Sequence, residues 1–222
     1  MYTGKKHKEA IRLRRKREKE QRYRNILDAA QKVFFLEGYA KTTMDKIAYE
    51  AAISKPTIYQ YFKTKENLYF SLMLPVIEDI TVQIGKIEVK LKDGKYPTGE
   101  QLLKDLFKAA YSIYAASPDV FRIIQLFQQS GLIGKLNEEI SSALNEKGQL
   151  NFELFRRIIQ MGIEGNLIIR IDPAEAADIF WGLFVGVVQL QNIKAKGGNP
   201  GKRLKKTLKL AEKILIDSVA VK

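Results

Sequence analysis

Thr42-Thr43-Met44-Asp45-Lys46-Ile47-Ala48 and, five residues further on, Ser54-Lys55-Pro56-Thr57-Ile58-Tyr59-Gln60-Tyr61-Phe62 read as two short helices across a tight break. The first starts at Thr42, with Asp45 as acidic capping partner three residues on, and turns Met44, Ile47, Ala48 and Ala51 to one side. Ser54 caps the second, and Ala48 is small where two helices must cross. Ile53 and Ile58 are apolar on either side of the break. Upstream, Tyr23, Ile26, Leu27, Ala30 and Phe34 form one apolar face, and Gly38 stops that helix in a left-handed cap. Three short helices in this order describe a helix-turn-helix unit. Its last helix presents Lys55, Thr57, Gln60 and Tyr61 away from Ile58, groups able to hydrogen-bond base edges and phosphates.

The rest of the chain is also helical by period. Thr64 caps a fourth helix carrying Leu68, Leu72 and Val76, with Pro75 inside it as an expected kink. Further helices are predicted over 100–116, 118–129, 135–161, 173–195 and 202–220. Their starts are marked by Thr98 with Gln101, by Ser117-Pro118 and by Asp172-Pro173. Lys92–Pro97 and Lys196–Gly201 are loops. Ile80–Leu91 fits both a strand and a helix. Helix is favoured, because the only strand-like partner, Leu167–Ile171, is too short to complete a sheet.

Composition narrows the function. The 222 residues contain no Cys and a single His, His7, which excludes thiol nucleophiles, Cys-ligated metals, a Ser-His-Asp triad and multi-His sites. No cofactor, metal site or catalytic motif is expected. The longest apolar run, Ile179–Val188, is ten residues against the roughly 20 needed to cross a bilayer. No signal-peptide stretch follows the basic N-terminus, so a cytoplasmic location and no membrane partner are expected.

The formal net charge of +13 is uneven: residues 1–24 hold eleven Lys/Arg against three Glu, a surplus of eight. Residues 25–62 are neutral, with four Lys against four acids. The arm reads as a partner for a polyanion, or as a solvated tail; pairs such as Arg14/Glu18 and Lys16/Glu20 favour helix in part of it.

The string Glu37-Gly38-Tyr39, Thr42 to Ala48, and Ser54 to Phe62 continuing Lys63-Thr64-Lys65-Glu66-Asn67-Leu68 closely resembles the TetR/AcrR family of bacterial transcriptional regulators. The resemblance implies an all-α chain. An N-terminal helix-turn-helix DNA-binding domain would join a C-terminal helical bundle for ligand binding and dimerisation. The boundaries expected are an arm at 1–20, the DNA-binding domain at 21–66 and the bundle at 67–222.

By the same resemblance, Thr42 and Thr43 would touch phosphate. Ser54, Lys55, Thr57, Tyr59, Gln60 and Tyr61 would lie on or near the recognition helix, and Lys65 would hold a backbone phosphate. Tyr59 and Phe62 also fit a core role. Two positions depart from the family pattern, Pro56 and Ala52, where Gly is usual or frequent. Pro56 offers no N–H to a phosphate, and Ala52 implies either a turn that avoids the left-handed region or some strain there.

The bundle would enclose an effector. Phe107, Tyr111, Tyr114, Phe121, Gln125, Phe155 and Trp181 are the candidates, although aromatics at helical spacing also make ordinary core. With no buried cationic cluster evident, a mainly apolar small molecule is expected. Gly182 and Gly186 beside Trp181, and apolar residues on several faces of 202–220, point to a homodimer through helices 173–195 and 202–220. The implied function is a ligand-responsive regulator, a repressor, on a palindromic duplex DNA operator. The alternatives are a constitutive architectural DNA-binding protein and a helical module docking its arm on a partner or membrane surface.

Overall fold

A computed structural model describes residues 3–122, 138–195 and 201–221, apart from the side chains of 3–6, 139 and 140. Among these residues the chain is helical, with a single isolated β-bridge and no strand. It divides into two compact units, Met1–Leu74 and Pro75–Lys222.

In the first unit, α1 spans Thr3–Lys41, α2 Met44–Glu50 and α3 Lys55–Tyr61, and α4 (Lys65–Lys92) begins there. The arm is thus helix, continuous with the first predicted helix. Its ion pairs Arg14–Glu18 and Lys16–Glu20 lie one turn apart, at 2.7 and 3.9 Å. The core gathers Ile26, Ala30 and Phe34 of α1, Ile47 and Ala48 of α2, Ile58 and Phe62, and Leu68, Tyr69 and Met73 of α4. Gly38 does bend the chain, at φ 74° and ψ 166°, a combination essentially reserved for glycine. A last helical turn follows it to Lys41, so Gly38 is a kink where a terminal cap was expected.

The start of α2 also differs from the expectation. Thr43, not Thr42, is the N-cap: its Oγ1 accepts the Lys46 N–H at 3.2 Å. Thr42 is buried, and its hydroxyl donates to the Gly38 carbonyl at 2.7 Å. At the end of α2, Ile53 N–H bonds Ala48 O and Ala52 N–H bonds Tyr49 O, both at 3.0 Å. This pairing requires a left-handed residue at Ala52, whose φ is 52°. Of the two readings of Ala52, the strained turn is the one adopted.

The second unit takes the remainder of α4, then α5 (Gly99–Ala116), α6 (Glu138–Glu164), α7 (Pro173–Lys194) and α8 (Gly201–Val219). Thr98 and Asp172 cap α5 and α7 as the sequence indicates, Asp172 accepting from both Ala174 and Glu175 N–H at 2.9 Å. Residues 118–122 are helical; positions 123–129 of that expected helix, 135–137 of the next and 196–200 of the expected loop lie outside the described residues. Ile80–Leu91 is helix, and Ile80, Ile84 and Ile87 face the core. Pro75 sits inside α4 without ending it.

The short apolar stretch after α6 does find a partner, though not a sheet. Asn166, at φ 54°, closes α6. Ile169 N–H then bonds Val219 O at 2.9 Å and Val221 N–H bonds Leu167 O at 3.0 Å. Gly99 lies directly against this join. Helices α4 and α6 are tied by Arg157–Glu88 at 3.1 Å, Lys147–Glu78 at 3.0 Å and Thr81 donating to Asn151 Oδ1 at 2.6 Å. By length and composition alone α4 and α7 are apolar enough to cross a membrane. Both line the core, through Val76, Ile80 and Ile84 in one and Phe180, Phe184 and Val188 in the other.

Candidate functional site

Helix α3 is seven residues long and is anchored by one inward side chain, Ile58, fully buried beside Phe62. A helix that buries one position in seven leaves most of its girdle outward. Lys55, Pro56, Tyr59 and Gln60 are exposed, and Thr57 and Tyr61 are half-buried. Phe62 is core; Tyr59, at 37% exposure, is not. Ser54 occupies the N-cap position, but its Oγ shares a hydrogen bond with Thr57 Oγ1 at 2.8 Å and takes no backbone N–H. Pro56, one residue inside the helix, removes a donor from that turn.

The expected phosphate ligands fall into two groups. Thr43 is exposed at the α2 N-terminus, where backbone N–H groups and the helix dipole favour an anion. Thr42 is 1% exposed and cannot reach one. Lys65 is turned inward: its Nζ donates to the carbonyls of Tyr39 at 2.8 Å and Thr42 at 3.1 Å, and lies 4.1 Å from the centre of the Tyr39 ring. The adjacent Tyr39 hydroxyl donates to Glu66 at 2.5 Å. Burial, then that bond, raises the Tyr39 pKa. Burial alone would raise Glu66 too, but the hydrogen bonds from Tyr39, its own backbone and Thr64, with Lys65 nearby, outweigh it and hold the carboxyl below its ordinary value. Lys65 and Glu66 therefore clasp the corner between α1 and α2 onto the start of α4.

Most of the motif's remaining charge is internally matched. Lys32 pairs with Glu50 at 3.2 Å, Lys55 with Asp45 at 2.9 Å, and Lys46 with Glu37. The hydrogen bond to Asp45, followed by its charge, raises the Lys55 pKa. Sequence reasoning passed over Tyr49, which is 88% exposed on α2. The signal was present: Met44, Ile47 and Ala48 define the inward face, which leaves 45, 46 and 49 outward.

In the second unit Phe107, Tyr114, Phe121 and Phe155 are buried, while Tyr111 and Trp181 are half-buried. Gln125 lies outside the described residues. The rings interlock through α7: Phe107 and Phe155 meet Phe180 at 4.6 and 4.7 Å, and Phe121 meets Tyr114 at 5.5 Å and Phe184 at 6.3 Å. The Tyr114 hydroxyl donates to Asn192 at 3.4 Å, a polar partner the sequence did not single out. Among the described residues no His, Cys, Asp or Glu cluster is arranged to hold a metal ion.

The family model for bacterial regulatory proteins of the tetR family matches residues 26–72, spanning α2, α3 and the start of α4. The fatty acid metabolism regulator protein of Bacillus subtilis is 31% identical over 153 residues, which cover 68% of this chain and 73% of that protein. The chain belongs to the TetR family. It is a DNA-binding transcriptional regulator of the TetR type, not an enzyme.

Solved structures agree on the fold. PfmR, a TetR family regulator of Thermus thermophilus, superposes with a TM-score of 0.69 at 18% identity, over 86% of this chain and 93% of its own. FadR from Bacillus subtilis, solved in complex with stearoyl-CoA, gives 0.62 at 23% identity over 85% and 97%. At those identities they speak for the shared all-helical architecture of this TetR-family chain.

Proposed function

We propose that this TetR-family regulator is a repressor that binds a near-palindromic operator as a homodimer and is released by a mainly apolar small molecule. The observation that carries the DNA-reading assignment is the outward row of α3, held by Ile58 alone. Thr57 and Gln60 are the base-edge candidates, with Ser54, Lys55, Tyr59 and Tyr61 around them. Thr43 takes a phosphate, and Lys65 acts by holding the corner that positions α2. The working division is an arm at 1–20, a DNA-binding domain at 21–66 and an effector and dimerisation domain at 67–222, acting in the bacterial cytoplasm.

The dimer surface is supported by apolar groups left uncovered within one chain. On α7, Ile179, Leu190 and Ile193 are 54, 48 and 66% exposed, and Cβ atoms built on Gly182 and Gly186 meet nothing within 4 Å. On α8, Leu210 and Ile214 are likewise exposed. A homodimer carries two α3 helices, as an operator with half-sites about 34–36 Å apart requires.

For the effector, the interlocked aromatic core of the bundle and the names of two relatives, a fatty acid metabolism regulator and FadR with stearoyl-CoA, favour a long acyl chain. Its binding would act through α4, where Pro75 removes a backbone hydrogen bond, with a coupling of about 1–3 kcal/mol.

In-vitro selection from random duplex DNA at about 150–200 mM salt, where phosphate-only binding is weakened, tests the reading. A recovered palindrome, lost on Thr57→Ala and Gln60→Ala substitution and released by long-chain acyl compounds, is the expected result. Tight binding without sequence preference would instead favour an architectural DNA-binding protein. The neutrality of the motif beside so basic an arm is the one feature that suits that second reading.

A further inference from the structure

Nineteen consecutive residues of α1, from 7 to 25, are exposed, and they belong to the same uninterrupted helix that buries Ile26, Ala29 and Val33 in the first unit. Followed toward the N-terminus at alternating steps of four and three, the Ile26–Ala29–Val33 face continues through Arg22, Lys19, Arg15, Arg12 and Lys8. Every position on that extension is basic. None of the five takes part in an ion pair among the described residues; the two pairs in this stretch use Arg14 and Lys16, on other faces. The helix therefore changes character at Arg22, from an apolar stripe that packs to an exposed cationic stripe without ion pairs among the described residues.

We infer that this stripe is a second DNA-binding element, which grips the phosphate backbone beside the bases read by α3. The inference rests on the DNA-binding reading above. Three observations favour duplex DNA as the occupant. The stripe spans about 21 Å of helix, a length over which a duplex presents about 12 phosphates. Four of the eight charges in residues 25–62 are cationic and three of those are matched by acids, so the motif itself supplies little long-range attraction. The stripe also lies on the same continuous helix as the core residues Ile26, Ala29 and Val33, so a phosphate held on it bears on the register of the whole unit. A helical protein partner is disfavoured because the arm's apolar residues, Ala10, Ile11 and Leu13, form no seam. The same sparseness leaves no face to sink into a bilayer.

The test compares two full-length variants that lose the same charge from different faces. One carries Arg12→Gln, Arg15→Gln, Lys19→Gln and Arg22→Gln; the other carries Arg14→Gln, Lys16→Gln, Arg17→Gln and Arg24→Gln. Circular dichroism first establishes that helix content is retained in both. Affinity for the selected operator is then measured between 50 and 200 mM salt, with random duplex as a second probe. With slopes expressed per protomer, four lost phosphate contacts lower the slope of log affinity against log salt by about 3.6, at roughly 0.9 per contact, and a dimer doubles this. A fall of about three in the first variant and less than one in the second supports the stripe. Equal slopes in the two variants, whether both fall or neither does, overturn it. So does an unchanged DNA slope accompanied by loss of binding to phosphatidylserine vesicles. Failure of the wild-type chain to select any sequence would count against the operator reading alone, since the random-duplex slopes still decide the role of the stripe.

Discussion

Lys65 divides the sequence-based and structural accounts most sharply, and Lys65→Met separates them. In the structure the ammonium is an internal fastener: it satisfies two carbonyl oxygens, on Tyr39 and Thr42, and caps the face of the Tyr39 ring. A hydrogen bond from a charged donor is worth about 1.5–3 kcal/mol net, and a cation over an aromatic ring about 0.5–1 where partly exposed. Lys65 and Tyr39 are half-buried, so water recovers part of this when the charge is removed. Methionine keeps the apolar stem. The expected cost is therefore about 2–4 kcal/mol in the stability of the first unit, equivalent to a roughly 30- to 1,000-fold rise in local opening at 1.4 kcal/mol per decade. Hydrogen exchange of the α2 and α3 amides in the full chain reads this opening directly. A phosphate ligand behaves differently: its loss leaves protection unchanged and lowers the salt slope of DNA binding by about one. Unchanged exchange in Lys65→Met would refute the fastener.

Gly99→Ala would place a Cβ 1.8 Å from the Leu167 carbonyl oxygen, which already accepts from Val221 N–H, so a backbone join must move. The expected loss is about 3 kcal/mol or more in the unit reported by the fluorescence of Trp181, the single tryptophan, during urea unfolding; a loss under 1 kcal/mol contradicts the close approach. Ala52→Gly relieves about 1–2 kcal/mol of left-handed strain against a glycine entropy cost of about 0.5–1, for a net gain of about 0.5–1 in α2 and α3 protection; destabilisation is the refuting result. Gly186→Leu meets no described atom within 4 Å of its Cβ and should leave helix content unchanged while abolishing dimers in sedimentation equilibrium. Dimers that survive would move the interface away from α7. Finally, Glu66 has its pKa lowered on folding, so its contribution is complete above the ordinary carboxylate value of 4.5 and is lost as pH falls through the lower folded value. Protection of the α2 amides, taken relative to the intrinsic exchange rate at each pH, should be constant above the ordinary carboxylate value and fall below it, less steeply in Tyr39→Phe; equal steepness would remove Tyr39 as a cause.

What was legible in the sequence was what depends on neighbours in the chain. Periodicity gave the helices because burial repeats every three or four residues, but it left Ile80–Leu91 open between strand and helix; the want of a sheet partner decided for helix, and Ile80, Ile84 and Ile87 do face the core. Capping gave Thr98 and Asp172 because a cap acts on N–H groups two or three residues away. Contacts made at long range left no such mark. Nothing around Gly99 announces Leu167, and nothing around Leu167 announces that its partner would be the chain end after α8. The doublet Thr42-Thr43 shows the limit within a single turn. Either residue has the chemistry of a cap, and the choice fell on Thr43 because the kink at Gly38 brings a carbonyl within 2.7 Å of the Thr42 hydroxyl.

The candidate DNA-contacting row and the candidate effector lining were read from sequence by the same rule, yet the rule decides them unequally. An outward polar residue on a short helix with one buried anchor has few structural duties, so exposure makes Gln60 a candidate for recognition, whereas Lys55 already pairs with Asp45 at 2.9 Å. An inward aromatic always has a structural duty. Phe107 and Phe155 meet Phe180 at core distances whether or not a ligand ever parts them, and the spacing that buries a ring is the spacing that would line a cavity. Only an added polar partner breaks the tie, because a buried hydroxyl needs an acceptor in either state. Tyr114 has one in Asn192, at a long 3.4 Å, on the opposite helix. That pair is where an apolar effector with a polar head would first exchange its hydrogen bonds with the protein's own. If Asn192→Leu leaves effector affinity unchanged while preserving the fold, the aromatics around it are core and nothing more.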